Sequence, residues 1–129
     1  MIPAPDTLQK MLAHKQKVVT GDVYNHMPYG EEMRLLPMLF GQHPPDPTGL
    51  WYVDEKELRI PQLKPVLATH LGCTLIHRDV LELYPFRYLG NTFDDMAFSK
   101  DVVEGGMPIF VDTTVTPEHL FSDWEGIQK

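Results

Sequence analysis

The sequence predicts an α+β domain with a small, mostly antiparallel sheet of three or four strands, three or four short helices and long Pro-rich loops. Three observations lead there. Short β-branched and aromatic runs at 50–54 (LWYVD), 73–80 (CTLIHRDV) and 107–115 (MPIFVDTTV) have the composition of strands. Around them lie segments with helical spacing or helix-start signals, none of them long. Twelve prolines and nine glycines among 129 residues interrupt the chain often, which keeps elements short and stiffens the loops.

Taken in order, an arm over 1–5 precedes a helical stripe of Leu8, Met11, Leu12, Val18 and Val19. Asp6 or Thr7 is available as its N-cap, and its lysines come late, where the helix dipole favours them. Residues 23–30 (VYNHMPYG) read as a loop. Residues 31–42 (EEMRLLPMLFGQ) read as a short helix divided by Pro37 and closed by Gly41. Residues 43–49 (HPPDPTG) read as a stiff loop, 50–54 as a strand and 55–58 (EKEL) as a single turn. Residues 61–71 (PQLKPVLATHL) read as a helix opened by Pro61 and stopped by Gly72, with Pro65 awkward inside it. The strand at 73–80 has a pairing candidate in 84–89 (YPFRYL). Residues 90–106 are mixed, with Asp94 and Asp95 expected in a solvated turn. After the strand at 107–115, Thr116 caps a final helix opened by Pro117 and Glu118 and ended by Gly126.

The length suits one domain over 1–129, enough to bury roughly two thirds of the unfolded surface. An apolar fraction of 43% and a charged fraction of 22% are those of an ordered soluble chain. Cys73 is the only cysteine, so no internal disulfide forms; the opening residues lack a secretory pattern, and a cytoplasmic location is expected. No apolar run reaches membrane-spanning length. The formal charge is −7, and Lys10, Lys15 and Lys17 near the start are the only cluster of basic residues, so direct nucleic-acid binding is not expected. An acidic decoy that occupies a nucleic-acid-binding protein remains compatible with that charge.

Within 68–79 (ATHLGCTLIHRD), His70, Cys73, His77 and Asp79 raise the question of a metal site. On one continuous helix His70, Cys73 and His77 would share a face, as a zinc site needs. Gly72 and the β-branched Thr74 and Ile76 argue instead for a helix end followed by a strand. There Cys73 and His77 stand about 13 Å apart, too far to share an ion. No metal and no cofactor is therefore assigned. His77, Arg78 and Asp79 spell a kinase catalytic triplet, but Tyr84 replaces the required asparagine. His119 and Asp123 lack the glutamate and second histidine of a zinc peptidase. Asp94 with Asp95, Asp112, and Glu118 with His119 are the carboxylate and imidazole candidates for proton transfer, and Gly21-Asp22 with His26 is a loop cluster that turn chemistry explains equally well. Phosphate-binding and nucleophile-elbow motifs are absent from the sequence.

A stock of Met and aromatic residues in irregular segments remains, of a kind enriched at protein interfaces. The leading expectation is a non-catalytic protein-binding domain: a subunit of an assembly, or a small acidic factor that docks on and modulates another protein. Viral assembly and host-targeting factors are of this style. The partner is a protein or a second copy, and the docking residues are Trp51, Tyr52, Tyr84, Phe86 and Tyr88. The alternative is a metal-dependent hydrolase drawing on His26, His70, His77, Asp94, Asp95 and His119, which requires several of these to converge.

Overall fold

The computed structural model describes residues 4–43, 46–87 and 94–117. Their elements are α1 (Thr7–Ala13), β1 (Val18–Gly21), β2 (Tyr24–Tyr29), β3 (Glu32–Pro37), β4 (Leu39–His43), β5 (Asp46–Tyr52), α2 (Glu55–Leu58), β6 (Leu63–Val66), β7 (Ala68–Thr69), β8 (Thr74–Ile76), α3 (Arg78–Leu83), α4 (Asp94–Glu104) and β9 (Ile109–Asp112). The fold is α+β with mostly antiparallel pairing. A four-stranded sheet runs β6-β9-β1-β8, a three-stranded sheet runs β5-β4-β7, and β2 and β3 form a separate ribbon. Only β1 and β9 pair in parallel among the described strands.

The centre of the larger sheet follows from β1, whose four residues VVTG are all buried. Val18 and Val19 extend no helix. They belong to a strand covered on both faces, so both bury, and the helix before them stops at Ala13. Val18 packs with Leu39, Val53, Leu58, Val66, Val80, Phe98, Val102, Ile109 and Val111, while Val19 packs on the other side with Met11 and Val115. Gly21 is needed for close approach, because a Cβ there would stand 3.0 Å from both the side chain and the carbonyl of Val115. A buried polar seam joins the sheets to α4. The Thr69 amide donates to Ser99 Oγ at 3.2 Å, Thr69 Oγ1 and Thr20 Oγ1 lie 3.3 Å apart, and Thr74 Oγ1 donates to Thr20 at 3.1 Å.

Several sequence expectations are corrected. Residues 24–29 and 32–37, read as loop and broken helix, form a hairpin. Its two-residue turn places Gly30 at φ 65, the geometry that matches strand twist with glycine in the first turn position. Proline is tolerated in this ribbon because each strand keeps an outer edge whose N–H needs no partner. Residues 61–71 form no helix: Pro65 sits in β6, an edge strand, and Ala68 and Thr69 pair with Phe40 and Leu39 of β4. The expected strand at 73–80 shortens to β8, since His77 caps α3 by accepting the Asp79 amide at 3.1 Å. Residues 84–87 form no strand, and Asp94 and Asp95 open α4 instead of a solvated turn. Part of β5 was read as loop; 44–45, Tyr88 and the expected helix after Pro117 lie outside the described residues.

Candidate functional site

The cross-strand register of the β4–β5 hairpin builds one wall of a surface groove. Trp51 stands opposite Gly41 and Tyr52 opposite Phe40, so each pair shares a face of the sheet. Gly41 has no side chain to cover the indole, and Trp51 remains 46% exposed. The neighbouring wall comes from β6 and the residue after it, where Pro65 and Leu67 point outward between the buried Val66 and Ala68. The Leu67 amide donates to the Phe40 carbonyl at 2.9 Å, which fixes this wall against β4, and Leu67 is 39% exposed. Between the walls lies a groove of about 590 Å³ lined by Gly41, Trp51, Val53, Pro65 and Leu67, with Asp54, Glu57 and Lys64 among its polar residues. Lys64 pairs with Glu57 at 3.3 Å, and Asp54 caps α2 by accepting the Lys56 amide. The groove is therefore apolar in its walls and charged at its rim.

No protein-family model and no curated protein sequence matches this chain. What the groove does must be argued from its chemistry.

Aromatic contacts run inward from it. Trp51 meets Tyr52 edge-on at 5.4 Å, Tyr52 meets Phe40 at 5.1 Å, and Phe40 meets His70 at 5.9 Å. His70 in turn pairs with Asp95 of α4 at 3.2 Å. This series locks the β4–β5 surface to the helix, so Trp51 is held on a braced support. Tyr84 and Phe86 lie elsewhere, after α3. Tyr84 packs against the core beside Gly105, and the exposed Phe86 rests on the buried Phe98 at 5.0 Å. Arg87 fixes this segment to α4 through a two-pronged contact with Asp101, 2.7 Å at each prong. Of the five expected docking residues, Trp51 and Tyr52 line the groove, Tyr84 packs against the core, Phe86 is exposed away from the groove, and Tyr88 is outside the described residues.

Of the four candidates in 68–79, His77 and Asp79 lie together, with Asp79 also paired to Lys17, while His70 and Cys73 are engaged elsewhere. His70 faces Asp95, Cys73 packs near Met11, Val19 and Val115, and His77 caps α3. Burial raises the Cys73 thiol, which disfavours the thiolate a metal would need. Among the described residues no group of three or more His, Cys, Asp or Glu side chains is placed to hold a metal ion. No helix among them is long and apolar enough to cross a membrane.

Asp22, between β1 and β2, is a strongly perturbed acid. It is 4% exposed, and one carboxylate oxygen has no hydrogen-bond partner among the described residues. Burial drives its pKa up to about 6; a hydrogen bond from Tyr24 opposes the rise and the charge of Glu55 adds to it. Tyr24 moves up to about 12, through burial and then the charges of Asp22 and Glu55. In place of the expected loop cluster of Asp22 with His26, the buried Asp22 pairs with the half-buried Tyr24. At Asp112, burial raises the pKa, but hydrogen bonds from His14 (2.7 Å) and Thr114 outweigh it and hold the carboxyl below the ordinary range.

Sequence reasoning missed Leu67 and Gly41. Exposure alternates from Pro65 to Ala68, but all four residues are apolar, so the sequence carries no alternation that could have marked Leu67 as outward-facing.

Proposed function

We propose that this chain is a non-catalytic protein-binding domain, and that the groove between β5 and β6 receives a segment of the partner protein. One observation carries the reading: a tryptophan held edge-on by Tyr52 faces an exposed leucine across an apolar groove whose rim charges are already engaged. Tryptophan in such a pocket is the commonest type of interface anchor, and the surrounding apolar wall excludes water from it. The acidic balance of the chain favours a partner with basic flanks through long-range attraction.

A photo-crosslinking side chain at the exposed Glu57, on the rim of the groove, tests this with Trp51 left in place. It should capture one polypeptide that Trp51→Ala and Leu67→Ser variants no longer bind, with far-UV dichroism unchanged. Undiminished capture by both variants would refute the groove. Loss of Trp51 should weaken binding by roughly 2 kcal/mol or more, about thirtyfold in Kd. A metal-dependent hydrolase requires several of His26, His70, His77, Asp94, Asp95 and His119 to converge, and the pairing of His70 with Asp95 falls short of the three or more ligands that no group among the described residues supplies.

A further inference from the structure

The β2–β3 ribbon pairs with no other strand among the described residues. Two-stranded hairpins are marginal in water unless something covers them. Register places His26 with Leu35 and Pro28 with Met33 on one face, and Met33 and Leu35 are 62% and 48% exposed. Glu31 sits in the turn at the tip, while Glu32, opposite Tyr29, belongs to the other face.

A complementary surface occurs in the same chain. Between the end of α1 and β8 lies a notch of about 370 Å³ whose lining includes Leu12, Lys15, Lys17, Ile76 and His77. β8 is an edge strand, with no described strand on its outer side. Lys17 is shared with Asp79 at 3.2 Å, which leaves Lys15 as the main source of positive charge at the mouth. Lys15 has φ 54, a left-handed backbone position after a helix that glycine fills at least strain. A lysine kept in glycine's place, at the mouth of an apolar notch, points to use of its side chain.

We propose that the chain assembles head to tail, the β2–β3 ribbon of one copy seating Met33 and Leu35 in the notch of the next, with Glu31 beside Lys15. This deepens the protein-binding reading by naming a second copy as one partner, at a surface other than the Trp51 groove. Apolar residues meet apolar residues and acidic meets basic, while Met33 and Leu35 stay exposed in the single chain. Because each copy carries one ribbon and one notch, the contact joins two different surfaces and propagates into a ring or a filament.

The test is sedimentation of the full chain with two sets of variants. Met33→Ser with Leu35→Ser disables the ribbon; Leu12→Ser with Lys15→Glu disables the notch. All four sites are exposed, so the core is untouched. The wild type should form oligomers, each disabled chain should be monomeric, and an equimolar mixture should recover dimers and nothing larger, because it holds one working ribbon and one working notch. Lys15→Gly should raise Tm and still weaken association at least ~10-fold, a combination that a purely structural lysine would not give. A monomeric wild type, oligomers indifferent to both sets, or a mixture without dimers would each overturn the proposal. Oligomers lost only with Trp51→Ala would also overturn it, and would leave the groove as the self-contact. Failure of the groove crosslink with the ribbon and notch results intact would remove the groove reading alone.

Discussion

Replacing Asp22 by asparagine isolates the energetic effect of one buried carboxylate. In the folded chain its pKa stands at about 6 against an ordinary 3.8, a rise driven first by burial. The folded state therefore holds a proton that the unfolded chain has already released between those values. Its favourable contribution is complete below pH 3.8 and is lost as pH rises through about 6. A rise from 3.8 to about 6 converts to about 3 kcal/mol. Solvent reaching the half-buried Tyr24 and Glu55 screens part of this, which brings the expectation to about 1.5 to 3 kcal/mol. The asparagine amide cannot ionise, so the stability of Asp22→Asn relative to wild type should improve by that amount between about pH 4 and pH 8. Urea denaturation of both chains across that range reads the difference directly, and comparing the two chains cancels the other titrating groups. A difference that stays flat within about 0.5 kcal/mol, the usual non-additivity of distant sites, would refute the reasoning.

Asp112 should act with the opposite sign. Its depressed pKa adds stability above the unfolded value that fades as pH falls through the folded one, so Asp112→Asn should flatten the acid limb of the stability curve in urea titrations. Phe98→Ala, at a fully buried position of α4, should cost about 3 to 5 kcal/mol by chemical denaturation. Gly105→Ala places a methyl on the Tyr84 hydroxyl, and the displaced ring should alter the near-UV dichroism with little change in the far-UV signal. Trp51→Ala should change stability by less than about 1 kcal/mol, since surface positions outside the core rarely exceed that.

The fold class was legible because strand composition at 50–52 and 109–112 and the capped turn at 55–58 each carried an unambiguous local signal. The stretch from 24 to 43 was not. Pro28 and Pro37 argued against strands, and only the ribbon's free edges, which no local rule reveals, make them tolerable. Leu35, Leu36, Met38 and Leu39 mimic a helical face, yet their burial depends on where β4 enters the second sheet, with Leu36 and Leu39 inside and Leu35 outside. Half of the groove was visible: Trp51 and Tyr52 announced themselves by type, whereas Leu67 required knowing that β6 lies at a sheet edge. The partners of Asp22, His14 and His70 include groups from distant sequence and could not be read from spacing.

The parallel contact of β1 with β9 sets an order of events during synthesis. Val19 faces Phe110 and Gly21 faces Asp112, so the first strand of the large sheet waits for one of the last described segments to arrive. β6 pairs with β9 as well, and until residue 112 has cleared the ribosome tunnel neither β1 nor β6 has its shared neighbour. The β2–β3 ribbon and the β4–β5 hairpin need no such delay, because their partners adjoin in sequence. A nascent chain stalled before residue 109 should thus display two local hairpins beside an unclosed sheet, a state that invites chaperones or a neighbouring copy to supply the missing edge.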